Sequence, residues 1–89
     1  MRIQIEPHTL ERAGERGANA RQIEDVLRTG TPVAAGGGRL ARAKIYDYHG
    51  LWKGRYYDQQ MVKVIYAVED DLMITVTVVV HYGRWSEDR

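Results

Sequence analysis

The sequence predicts an α+β domain in which two helices come first and pack on one face of an antiparallel sheet of about four strands. Two observations lead there. Apolar residues recur with helical spacing up to Gly30, and a period-two alternation takes over after it. The chain's 89 residues, 44% hydrophobic and 28% charged, match ordinary globular usage and amount to one domain, 1–89, with one modest core. Cysteine is absent, which removes disulfides, thiolate zinc sites and a cysteine nucleophile. The longest apolar run, 72–80, is far shorter than the roughly 20 residues of a membrane helix. Residues 1–6 also lack the apolar stretch of a secretory signal. The expectation is a cytoplasmic protein without membrane contact. A net charge of +1 does not announce nucleic-acid binding, so any such reading depends on where the charges sit.

Each element has a local reason. Ile3 and Ile5 alternate with polar neighbours in a short strand, Arg2–Glu6. Pro7 opens a helix, because its missing N–H falls where no intrahelical partner exists. That helix runs to about Arg16, and Gly17 supplies a left-handed residue just past its end. Leu10, Ala13 and Gly17 form the face expected to dock on the sheet. Asn19 caps a second helix, with Gln22 three residues on completing a capping box. Ala20, Ile23, Val26 and Leu27 share its apolar face, and Gly30 followed by Pro32 stops it. Thr31–Ala35 is a short strand and Gly36–Gly38 a flexible turn. Along Arg39–Tyr48, Ala41, Ala43 and Ile45 face one way, and Arg42, Lys44, Tyr46 and Tyr48 the other. His49–Lys53 has loop character, Gly54–Asp58 begins the next strand, and Gln60–Val68 continues it in β-branched residues. Glu69–Asp71 turns the chain into the longest strand, Leu72–Tyr82. There Leu72, Ile74, Val76, Val78, Val80 and Tyr82 are assigned to the core. Met73, Thr75, Thr77, Val79 and His81 are assigned to the other face.

Three groups of residues have chemical potential, and each has a plainer alternative. His8, Arg12 and Arg16 are spaced i, i+4, i+8 and share one helical stripe, where guanidinium forks suit a phosphodiester. The alternative is a solvated face balanced by Glu11 and Glu15. His81 ends the last strand and is followed by Arg84 and Trp85, a proton carrier beside a cation and a stacking plane. The alternative is an ordinary strand-end histidine. Arg42 and Lys44 interleave with Tyr46, as in single-strand RNA binders or on any exposed sheet face. If the strand faces match, Arg42, Lys44, Tyr46, Thr75, Thr77 and His81 share one polar surface. Arg55, Tyr56 and Tyr57 extend it. The glycine run lacks the Lys-Ser/Thr of a phosphate loop, and His8, His49 and His81 lack ligand spacing. No metal and no cofactor is expected.

The segment Pro7–Gly17 resembles the H-x3-R-x3-R-G opening of a small, largely uncharacterised bacterial domain family. Ile23-Glu24-Asp25-Val26-Leu27 and the strands at Val64–Tyr66 and Ile74–Val78 continue the likeness over nearly the whole chain. That family is similar to the RelE and BrnT toxins of toxin–antitoxin pairs. The resemblance implies a RelE-like fold and a metal-independent ribonuclease, with RNA, including ribosome-bound mRNA, as substrate and a cognate antitoxin as partner.

Such chemistry has fixed requirements. The substrate's own 2′-OH attacks, a base takes its proton, an acid protonates the leaving 5′-oxygen, and cations meet the charge growing on phosphate. His8 and His81 are the expected proton carriers. Arg12, Arg16, Lys44 and Arg84 are the expected cations, and Tyr46 and Trp85 the stacking planes, with Arg42 as a further RNA contact. The rival class is a binding module without turnover, an antitoxin-like, immunity or phage accessory domain, which needs no titratable groups. A third option is a homodimer that buries Met73 and Val79 against a second copy.

Overall fold

In the computed structural model, which describes residues 1–85, the chain is α+β. Strand β1 (Arg2–Gln4) leads into helices α1 (Pro7–Glu15) and α2 (Ala20–Thr29). Strands β2 (Thr31–Val33), β3 (Leu40–Trp52), β4 (Arg55–Glu69) and β5 (Leu72–Gly83) follow. The sheet has five strands in the order β1-β5-β4-β3-β2. It is mixed rather than wholly antiparallel, because β1 returns to pair β5 in parallel through Arg2–Leu72, Ile3–Met73 and Gln4–Ile74. Both helices cover one face, as expected. They bury Ala13, Ala18, Ile23, Val26 and Leu27 against Val62, Val64, Tyr66, Met73 and Val78.

The helix ends follow their local chemistry. Asn19 accepts a hydrogen bond from the Gln22 N–H while the Gln22 side chain accepts from the Asn19 N–H, so the capping box forms. Gly17 sits at φ +86, and a Cβ there would run into the Tyr82 hydroxyl and the Trp52 ring. Only glycine satisfies both conditions. One expectation for α1 needs correction. Leu10 is exposed, whereas Thr9 and Ala13 are buried and dock the helix.

The β3–β4 hairpin is longer than its sequence suggests. Trp52 pairs with Arg55 across a two-residue turn of Lys53 and Gly54, at φ +52 and +80, the left-handed pair that suits a tight hairpin. The expected loop at His49–Lys53 is therefore strand as far as Trp52, interrupted by a bulge between Asp47 and Gly50 where His49 stands at φ +48.

A second bulge changes the facing of β5. Ile65 pairs with Thr77 and Tyr66 with Thr75, which leaves Val76 as an extra residue. Met73 and Thr75 therefore face the helices before it, and Val78, Val80 and Tyr82 after it. Thr75 is 2% exposed, and it accepts from the Glu6 N–H and donates to Thr9. The predicted burial of Val78 holds. The assignments of Thr75 and Met73 to the outer face, and of Leu72, Ile74 and Val76 to the core, do not. A homodimer that buries Met73 loses that contact as well, since Met73 is already in the core.

Candidate nucleic-acid interface

The bulges and the register divide the expected site residues among three places. The first is the open edge of β5. Beyond Gln4 no strand among the described residues pairs that edge, and α1 lies along it instead. His8 Nε2 stands 2.9 Å from the Val76 carbonyl, and an Arg16 terminal N–H donates to the Val78 carbonyl at 2.7 Å. Two members of the helical stripe thus satisfy strand carbonyls that would otherwise need water. Arg12, between them, is exposed, and its side chain makes no hydrogen bond or ion pair among the described residues.

The second place lies beneath α2, on the helix-covered face. Lys44 Nζ donates to Asp25 at 2.8 Å and to the Thr29 hydroxyl, and the Tyr46 hydroxyl donates to Asp25 at 2.6 Å. These donors hold the Asp25 carboxyl down to about 2, Lys44 contributing most and Tyr46 next. Burial, reinforced by the bond to Asp25, pushes the Tyr46 phenol well above its usual range. Arg42 lays its stem across the core edge and donates to the Leu27 carbonyl at the end of α2.

The third place is the open face. His81 sits there opposite Met61, in line with Ile45, while Lys44 pairs with Val62 on the covered face. The expected single surface of Arg42, Lys44, Tyr46, Thr75, Thr77 and His81 is thus split by the thickness of the sheet. Thr77 and His81 are on one side, and the other four are on the other. His8 is also remote from His81: its anchor at Val76 is five residues away along β5, about 17 Å.

What the structure does bring together is the far end of the open face. Asp47, His49, Asp58, Gln59, Arg84 and Trp85 line a pocket of about 260 Å³. His49 Nδ1 lies 3.9 Å from Asp58 and its Nε2 4.0 Å from Asp47, and Arg84 Nε lies 3.6 Å from the second Asp58 oxygen. The Gln59 side chain accepts from the Trp85 N–H, and the Trp85 ring lies over Gly83, where a Cβ would touch it at 3.6 Å. A second pocket, about 290 Å³, shares Asp58 and Arg84 with the first and is lined by Arg55, Tyr56, Tyr57, Asp58, Gly83 and Arg84. His81 is two residues before Gly83 on the same face, about 7 Å along the strand.

On the covered side of this end, Trp52 stacks on Tyr82 at 4.9 Å, and Tyr48 and Tyr57 pack around the same ring. The Tyr82 hydroxyl donates to the Arg16 carbonyl, and burial raises its pKa. This aromatic floor stiffens the hairpin end that carries the two pockets.

Arg84 and Trp85 were legible from sequence as a cation beside a stacking plane. Sequence reasoning missed His49, read as loop, and Asp58, read as ordinary strand, because the two meet only across the hairpin. The available signal was His-Gly inside an alternating run, which is a bulge pattern. Among the described residues no group of three or more acidic or histidine side chains is arranged to hold a metal ion, and no helix is long and apolar enough to cross a membrane. No family model, curated protein or solved structure matches the chain.

Proposed function

We propose that this chain is a toxin-like endoribonuclease that binds RNA at the Arg84 cleft and cleaves it without a metal ion. One observation carries the reading: His49, Asp58, Arg84 and Trp85 converge on one open pocket, so an imidazole, its carboxylate partner, a cation and a stacking plane meet at one point. In this reading His49, steadied by Asp58 and Asp47, takes the proton of the substrate 2′-OH. The 2′-oxygen attacks the adjacent phosphorus, the P–O5′ bond breaks, and His81 protonates the departing 5′-oxygen. Arg84 meets the charge that develops on the non-bridging oxygens, and Trp85 stacks on a base. The products are a 2′,3′-cyclic phosphate and a 5′-hydroxyl. Two helices on one face of a sheet support a RelE-like fold, and with it a bacterial, cytoplasmic setting, RNA that includes ribosome-bound mRNA, and a cognate antitoxin as partner.

The competing reading is a binding module without turnover. It is favoured by the engagement of His8, Arg16, Lys44 and Tyr46 in contacts that hold the fold together. Incubation of mixed-sequence RNA with the purified protein in EDTA separates the two. The proposal expects fragments ending in a cyclic phosphate, formed with and without ribosomes, and their loss in Arg84→Ala. Retained, intact RNA would leave the binding module as the better account.

A further inference from the structure

We infer that the cleft takes two successive nucleotides of a single strand, one base on each side of Arg84, with the phosphate between them on its guanidinium. The inference rests on the reading of this cleft as the nucleic-acid site, and it concerns binding alone. Both pockets share Arg84 and Asp58, so Arg84 is the ridge between two depressions of similar size, about 260 and 290 Å³. Each depression has its own aromatic wall, Trp85 in the first and Tyr56 in the second, where the neighbouring Tyr57 ring is already packed on Tyr82. Tyr56 is 57% exposed, and its face is free for a base.

The ridge is suited to a phosphate. Arg84 turns only its Nε toward Asp58, at 3.6 Å, and its side chain is 85% exposed. Its terminal N–H groups make no hydrogen bond among the described residues and match the spacing of phosphate oxygens. Arg55 stands on the rim of the second pocket, where a following phosphate would pass. Polar groups at the floor read base edges: the Gln59 amide N–H in the first pocket, since its oxygen is taken by Trp85, and the Asp58 oxygens in both. A duplex keeps its bases stacked and turned inward, so only an unpaired strand reaches both walls.

The test is a binding titration with a labelled 2′-O-methyl RNA hexamer, which is not cleavable through its 2′-oxygen. The duplex of the same sequence and the single-stranded DNA hexamer are its comparison arms. Tyr56→Ala and Trp85→Ala are each expected to weaken hexamer binding about ten-fold, with rescue by Tyr56→Phe and Trp85→Phe, because stacking needs only the ring. Arg84→Ala is expected to weaken binding and to lower the salt slope by about one phosphate. The duplex is expected to bind about ten-fold more weakly, and the DNA hexamer to bind like the 2′-O-methyl RNA, since neither strand offers His49 a 2′-OH. Circular dichroism of each variant guards against loss of fold. Unchanged affinity in both folded alanine variants, or equal affinity for the duplex, overturns the inference. If the hexamer binds as expected but RNA is never cleaved, the proposed ribonuclease falls and the two-base site stands. If RNA is cleaved while Tyr56→Ala and Trp85→Ala bind normally, the two-base site falls and the ribonuclease stands.

Discussion

Asp25 shows how a single exposed-looking acid can organise an element. Its carboxylate gathers Lys44, Tyr46 and Thr29, and so ties α2 to β3. Its pKa falls from 3.8 to about 2 in the fold. A depressed carboxylate stabilises the fold above its unfolded value and loses that contribution as pH drops through the folded value. The window is therefore about pH 4 down to about 2. Asp25→Asn is expected to melt below the wild type at pH 7, with the gap closing near pH 2; thermal melts at both values measure it. Arg16 gives a second prediction at this scale. Arg16→Ala strips a charged donor from the Val78 carbonyl and is expected to cost about 1–3 kcal/mol, whereas Arg12→Ala stays within about 0.5 kcal/mol. Urea denaturation of the two variants side by side tests the contrast. Equal losses would mean that the stripe is one solvated face and not a cap on the strand edge.

Among the elements, β5 is the most informative. Its bulge at Val76 turns Thr75 inward, where it bridges Glu6 and Thr9 and fixes the start of α1 against the sheet. Thr75→Val removes both bonds and is expected to cost about 1–3 kcal/mol, while Thr77→Val on the open face stays within about 0.5 kcal/mol. If Thr77→Val is the more damaging change, the facing described here is wrong. Element types and most boundaries were legible in the sequence, because the capping box, Gly17 and the turn at Asp70 act locally. Alternation also sorted the β3 side chains into the right two sets, but it placed Arg42, Lys44 and Tyr46 on the open face, whereas α2 covers them. It failed on β5, because a bulge adds one residue without changing composition: Met73-Ile74-Thr75-Val76-Thr77-Val78 satisfies either facing. The parallel return of β1 onto β5 is a long-range event with no local mark. The site was legible only in part for the same reason. Arg84 and Trp85 are adjacent in sequence, but His49 and Asp58 meet them only through hairpin register and the bulge between Asp47 and Gly50. His8 and Lys44 carry suitable side chains, yet packing turns them to strand carbonyls and to Asp25.

At the scale of the whole molecule, the two ends of the sheet have different work. The helices, the Asp25 network and the capped β5 edge hold one face together. The open face ends in a hairpin where Arg55 and Arg84 stand with Tyr56, Tyr57 and Trp85 beside Asp58. A net charge of +1 conceals this local grouping. Salt dependence of RNA binding is therefore expected to follow Arg55 and Arg84 and to ignore Arg12 and Arg42. The central claim is that proton transfer belongs to His49 at this end and not to His8 at the strand edge. The most direct test is single-turnover cleavage of a single-stranded RNA in EDTA, followed across pH, for the wild type, His49→Ala and His8→Ala. The account predicts a rate about 10²–10⁴-fold lower for His49→Ala, with the pH dependence altered, and a wild-type rate and profile for folded His8→Ala. Cleavage that survives His49→Ala and is lost in a folded His8→Ala, or wild-type protein that leaves the RNA intact at every pH, would contradict it.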